Sequence, residues 1–193
     1  MERLRFTIKG TSPLICHNGQ LCDPLNDIVR KMKEISAKRK KVDADHEELS
    51  RLEWYGSLYL NDGHPCIPAE NIEAALFGKG GAARKESAGK QAEVALFVDG
   101  NAILEYPGPD DIDDLWEDGG YLLRSKVKVK TSSIMRSRPI FREWSTVFTV
   151  VYDAQMLDRK DVERWISVSG DIVGVGDWRP RYGRFTVEDV QAL

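Results

Sequence analysis

Apolar and polar positions alternate from the start of the chain. Leu4, Phe6 and Ile8 fall on one side and Arg3, Arg5, Thr7 and Lys9 on the other, the two-residue period of a half-buried strand with a basic outer face. Gly10-Thr11-Ser12-Pro13 ends it, and Leu14-Ile15 continues as a short apolar piece into a loop. Asp23-Pro24 reads as N-cap and first helical residue, predicting a helix from Pro24 into the stretch Arg30 to Lys41. A second helix starts at Asp43, with Leu49, Leu52 and Tyr55 at helical spacing, and Gly56 closes the pair, so the inserted helices cover about 24–56.

Leu58 to Ile67 predicts a hairpin around Asp62-Gly63, followed by a short helix from Pro68 to Phe77 with Ile72, Ala75 and Leu76 on one side. Residues 79–90 combine glycines, alanines and four cations with almost nothing to bury, and read as a mobile basic loop. Ala95–Val98 and Ala102–Glu105 predict a second hairpin around Asp99-Gly100-Asn101. A short helix is expected around Leu115 and Trp116. From Tyr121 to Lys130 the chain alternates into a strand with one apolar face and one basic face, paired with Ser132 to Ile140 in a protruding hairpin over about 121–141.

Thr146 to Tyr152 is strongly β-forming, Asp158 caps a helix carrying Val162, Trp165 and Ile166, and Gly174 to Phe185 returns as a final strand. Strand, helix and strand at the C-terminal end, with a strand and helices at the N-terminal end, outline a split βαβ, ferredoxin-like α+β core. A single domain over 1–193 is the simplest organisation.

Charge changes the picture through its blocks rather than its sum of -3. Glu105 to Asp118 holds seven acidic residues and no basic one, while Arg124 to Arg142 holds seven basic residues and no acidic one. Separated faces of this kind suit a polyanion on one side and a neighbouring copy on the other. A second basic run, Arg30 to Lys41, also fits an ordinary solvated helix face. The three cysteines, Cys16, Cys22 and Cys66, form no repeated close pair, so neither a disulfide framework nor a metal site is expected. No cofactor motif is present. The absence of an apolar signal segment or an 18-residue apolar run predicts a soluble, cytoplasmic protein with no membrane partner.

The chemistry concentrates in Val173 to Phe185, where three glycines, three arginines and three aromatics share thirteen residues. Trp178, Tyr182 and Phe185 offer stacking faces, and Arg179, Arg181 and Arg184 offer planar forks for phosphate. That pairing suits single-stranded nucleic acid. The same composition also fits a glycine-rich turn into an edge strand with core aromatics and solvated arginines. Lys126, Lys128 and Lys130 recur at about 6.6 Å, close to the phosphate repeat of an extended strand. With Arg84 and Lys85 in the 79–90 loop and Arg136 and Arg138 in the hairpin, they complete the candidate contacts. His17 and Asp23 are candidate catalytic groups, an imidazole for proton transfer and a carboxylate to orient a 2′-hydroxyl, although Asp23 is also an ordinary helix cap.

Lys9-Gly10-Thr11-Ser12-Pro13-Leu14-Ile15, Cys66-Ile67-Pro68-Ala69-Glu70-Asn71-Ile72-Glu73-Ala74-Ala75-Leu76 and the terminal Arg181-Tyr182-Gly183-Arg184-Phe185 follow one another here in an order that resembles the RAMP superfamily. That superfamily includes the backbone subunits of CRISPR effector complexes. The resemblance implies an RRM-like palm, a projecting hairpin used as a thumb, and head-to-tail assembly along a single strand, most naturally RNA, in a homo-oligomer or multi-subunit ribonucleoprotein. It further implies a compact, phage-encoded relative of those backbone subunits, acting in a bacterial or phage-infected cell. The leading expectation is a non-catalytic binding subunit. The alternatives are a RAMP-type endoribonuclease and an anti-defence protein that mimics a backbone subunit.

Overall fold

The alternation at the N-terminus becomes an interior strand of the main sheet because it places three apolar side chains on one side with no interruption. Leu4, Phe6 and Ile8 are essentially inaccessible, each contributing roughly 1.5–3 kcal/mol by leaving water. A computed structural model describes residues 1–129 and 132–193. In chain order its elements are β1 (Glu2–Gly10), β2 (Leu14–Ile15), α1 (Asp27–Ala37), α2 (Asp43–Ser57), β3 (Leu60–Asn61), β4 (His64–Ile67), α3 (Ala69–Leu76), α4 (Ala82–Lys85) and α5 (Gly89–Ala95). There follow β5 (Leu96–Val98), β6 (Ala102–Glu105), α6 (Ile112–Asp118), β7 (Leu122–Val129), β8 (Ser132–Phe141), β9 (Ser145–Tyr152), α7 (Arg159–Val168) and β10 (Phe185–Ala192). No helix among the described residues is long and apolar enough to cross a membrane.

The chain divides into two compact units, one of Met1–Ile15, Leu60–Pro107 and Phe141–Leu193, the other of Cys16–Tyr59 and Gly108–Ile140. In the first unit, β1 lies between β9 and β10 and is antiparallel to both, so β9, α7 and β10 form a split βαβ. This is the α+β, ferredoxin-like arrangement that the pattern predicts. The sheet continues through β6 and β4 to β3. Phe6 and Phe148 stack across neighbouring strands with ring centroids 5.6 Å apart, and α3 and α7 bury Ile72, Ala75, Leu76, Val162, Trp165 and Ile166.

Several local expectations are corrected. The hairpin at Asp62-Gly63 forms, since both residues take positive φ, 51° and 84°, as a two-residue turn of this kind requires. Asp99-Gly100-Asn101 does not reverse the chain: only Gly100 is left-handed, and the Asp99 amide still donates to Thr149 O at 2.8 Å. As a result β5 and β6 run in one direction, both antiparallel to β9. Residues 79–90 carry α4 and the start of α5 instead of a loop. Ala82, Ala83 and Ala92 are fully buried, because a methyl group is enough when helices approach closely.

Glu86, just past α4, anchors this region. Its carboxylate accepts from Arg164 Nη2 at 2.6 Å and Trp165 Nε1 at 2.9 Å, and the Arg164 bond, then the Trp165 bond, hold its carboxyl below the ordinary 4.5. A carboxylate held low stabilises the fold above its unfolded pKa and loses that effect as pH falls through the folded one. Glu86→Gln should therefore lower Tm at neutral pH, and the deficit should shrink as pH drops below 4.5. Thermal melts of both proteins from about pH 7 to pH 3 check this. A deficit that stays constant across the range would assign the loss to packing.

In the second unit, the cap of α1 is Asn26, whose side chain accepts from the Ile28 amide at 2.9 Å. Asp23 instead accepts from the Leu25 amide at 2.8 Å, closing a turn before the helix, so the expected start at Pro24 moves to Asp27. Helix α2 passes through Gly56 and ends at Ser57. It buries Ser50, Glu53, Trp54 and Ser57, where the apolar pattern points to Leu49, Leu52 and Tyr55. Trp54 donates its indole N–H to Tyr121 O at 2.9 Å and meets the Trp116 ring edge-on at 5.4 Å.

Candidate nucleic-acid interface

The expected final strand over Gly174 to Phe185 is a folded loop, and β10 begins only at Phe185. Helix α7 passes into a wide turn, Ser169–Val173. The chain then doubles back: Val175 N–H donates to Gly183 O at 2.9 Å and Tyr182 N–H to Trp178 O at 3.3 Å. Gly183 makes this possible. Its φ is +72°, and a Cβ there would overlap the Val175 carbonyl.

The loop is fastened to the segment after β1 through backbone atoms. Thr11 N–H donates to Arg184 O at 2.8 Å, Gly183 N–H to Pro13 O at 2.8 Å and Asp177 N–H to Ile15 O at 2.9 Å. The Arg184 amide donates to Ser12 Oγ at 3.0 Å, and Trp144 Nε1 donates to Ser12 O at 2.9 Å. At Gly176, φ +74°, a Cβ would stand 2.6 Å from Ile15 O, so these two backbones approach as closely as glycine allows. The first and third sequence motifs thus form one construction.

What the construction presents outward matches the stacking and charge expectation only in part. Phe185 is buried at 2 % and serves the core. Trp178 and Tyr182 stay half-exposed, and Arg179, Arg181 and Arg184 are exposed. The two rings lie 5.9 Å apart at 51°, and the Arg181 guanidinium sits 5.9 Å over the Tyr182 ring. Trp178 itself is left-handed at φ +56°, a conformation costing a bulky residue about 1–3 kcal/mol. The surrounding loop therefore dictates where the indole stands. Arg84 donates to Phe77 O and pairs with Glu93 at 3.0 Å, which gives it a structural role within the first unit, while Lys85 is exposed.

In the second unit, Arg124, Lys126 and Lys128 alternate outward along β7 and are exposed. The register sets Lys126 opposite Met135 and Lys128 opposite Ser133. Lys130 lies outside the described residues. Arg136 and Arg138 pair with Ser125 and Leu123, hence alternate onto the other face and do not join the lysine row. Arg138 is 8 % exposed. Arg136 Nη1 meets Glu53 Oε1 at 2.6 Å, and Glu53 Oε2 accepts from the Ser137 amide at 2.9 Å.

Glu53 belongs to a polar cluster that the apolar pattern misses. Ser50 Oγ and Ser137 Oγ are 2.6 Å apart, and all three residues are buried. A groove of about 480 Å³ opens beside them, lined by Met32, Leu49, Ile134, Met135, Arg124 and Arg136 among others. His17 lines an adjoining cleft with Cys22 and Lys33, whereas Asp23 is not part of its wall. The two catalytic candidates thus do not share that cleft. No group of three or more His, Cys, Asp or Glu side chains that could hold a metal comes together among the described residues.

No family model matches the chain, and no curated protein sequence matches it. Among solved structures, the whole chain is similar to part of a chain in a cryo-EM structure of the Type III-B Cmr-beta bound to cognate target RNA, at 11% sequence identity and a TM-score of 0.48. The chain spans 60% of the length of that one.

Proposed function

We propose that this protein is a non-catalytic, single-stranded nucleic-acid-binding subunit, with RNA as its strand, of the RAMP backbone type. The single observation that carries the reading is the terminal loop. Its backbone is fastened to Thr11, Pro13 and Ile15, and it holds Trp178 and Tyr182, their rings tilted 51° to one another, beside three exposed arginines. Preset aromatic faces beside guanidinium groups take any base by stacking and any phosphate by charge. The exposed Arg124, Lys126 and Lys128 row supplies a second run of phosphate contacts.

Under this reading the chain forms one RAMP-like domain, and copies join head to tail along the strand, the acidic stretch of one facing a basic patch of the next. Arg179, Arg181, Arg184, Lys85, Lys126, Lys128 and Lys130 contact the backbone of the strand, and Trp178 stacks on a base. The protein acts in the cytoplasm as part of a ribonucleoprotein.

Fluorescence anisotropy with a short oligouridylate at several salt concentrations tests the division of labour. Lys126→Ala/Lys128→Ala should weaken binding and lower the salt slope by roughly 1.4, at about 0.7 per contact. Trp178→Ala should lose about 1–3 kcal/mol of affinity with the slope intact. A Trp178→Ala protein that melts lower yet binds as well as the parent would assign the indole to the fold. Cleavage of the bound RNA that His17→Ala abolishes would replace the non-catalytic reading with an endoribonuclease.

A further inference from the structure

The groove in the second unit is larger than its structural duties require. Its volume of about 480 Å³ lies within the roughly 300–1,000 Å³ of clefts that hold small organic groups. Met32, Leu49, Ile134 and Met135 give it apolar walls, two of them methionines that adapt to flat ligands. At its floor Arg136 is held by Glu53 through one nitrogen, and 36% of its side chain remains exposed. Among the described residues Glu53 is its one ion-pair partner. The other N–H groups of that guanidinium keep their donors.

Charge identifies the occupant. Arg124 lines the groove, and Lys126 and Lys128 continue from it at every second residue of β7, on the side that Met135 shares by register. Arg124 and Met135 of the lysine face and Ile134 and Arg136 of the other face all line the groove, so a strand whose phosphates follow the row meets the groove at Arg124. A peptide would use the apolar walls and leave the row unexplained.

Resting on the nucleic-acid reading above, we propose that the groove receives one unpaired base of the bound strand and prefers guanine. The methionine, leucine and isoleucine side chains cover the faces of the ring. Arg136, its plane fixed by Glu53, presents its fork to the O6 and N7 acceptors, a pairing that guanine alone offers among the bases.

The test compares oligouridylate 12-mers carrying one central guanosine, adenosine or abasic residue, by anisotropy at fixed salt. The parent protein should bind the guanosine strand about tenfold more tightly than the abasic one. Ser36→Trp, on the exposed side of α1 at the groove wall, should erase that advantage while leaving affinity for plain oligouridylate unchanged. Arg136→Gln removes the guanidinium fork, and because glutamine pairs with adenine N6 and N7 it should keep both purines ahead of the abasic strand while removing the preference for guanosine over adenosine.

Equal affinity of the parent for all three strands overturns the proposal and leaves the nucleic-acid reading standing. So does a Ser36→Trp protein that retains the guanosine advantage. A Ser36→Trp protein that shifts self-association in light scattering with unchanged discrimination makes the groove a protein dock and equally overturns it. Binding of no oligonucleotide at low salt removes both readings together.

Discussion

Replacing Gly183 with alanine is expected to destabilise the protein by about 3 kcal/mol or more, the sum of a side chain in the left-handed region and a backbone overlap. The φ of +72° admits alanine only with strain, and the new methyl group would press into the Val175 carbonyl, which a side-chain movement cannot relieve. The bond from Gly183 N–H to Pro13 O and the bond from Val175 N–H to Gly183 O would both be disturbed. Denaturant unfolding followed by tryptophan fluorescence measures the loss. If the loop is the binding platform, affinity for single strands falls with it, even under conditions where most molecules remain folded. Gly183→Ala with parental stability would mean that the loop relaxes readily and that its presentation of Trp178 is not fixed by the backbone.

Removing the Glu53 side chain should cost about 3 kcal/mol, because Arg136 loses its counterion and the Ser137 amide loses its acceptor. Glu53 is 6 % exposed, while the Arg136 side chain reaches solvent, which keeps the effect at the lower end for a broken buried pair. Glu53→Ala and a double Glu53→Met/Arg136→Met variant separate the causes. The single change should shift the denaturation midpoint strongly, and the double change should recover most of the shift, since an apolar pair needs no partners. A single variant within about 0.5 kcal/mol of the parent would show that water replaces the carboxylate and that the cluster is not closed.

How far the chain announces its own structure depends on where each residue finds its partners. The strand at Arg3 to Lys9 is legible because its alternation is complete in seven residues, and the split βαβ is legible because α7 carries its apolar stripe intact. The buried face of α2 is not. The apolar pattern points to Leu49, Leu52 and Tyr55, and Glu53 becomes buried only through Arg136 and the Ser137 amide, 83 and 84 residues away.

The candidate site divides in the same way. Trp178, Tyr182 and the arginines are visible as composition, but whether they sit on a strand or a loop turns on positive φ values at three glycines and on bonds to Thr11, Pro13 and Ile15. Arg136 and Arg138 join the lysines in any count of charge. Strand phase separates them, and phase relative to β7 is a property of pairing rather than of composition. Residues 79–90 look empty because alanine contributes little to a hydrophobic pattern, yet a buried alanine marks where helices touch.

The fastening of the terminal loop to the segment after β1 joins residues 172 positions apart, and β1 gains its second neighbour only when β10 arrives. Contacts of such span close late, after the loop-closure entropy of almost the whole chain has been met. During synthesis the segment after β1 therefore waits with its hydrogen-bonding groups uncommitted until β10 is made. A chain cut short before that point carries the lysine row and leaves the terminal loop without its backbone partners. Under the nucleic-acid reading, such a fragment would attract a polyanion but not seat it, so commitment to a strand waits for β10.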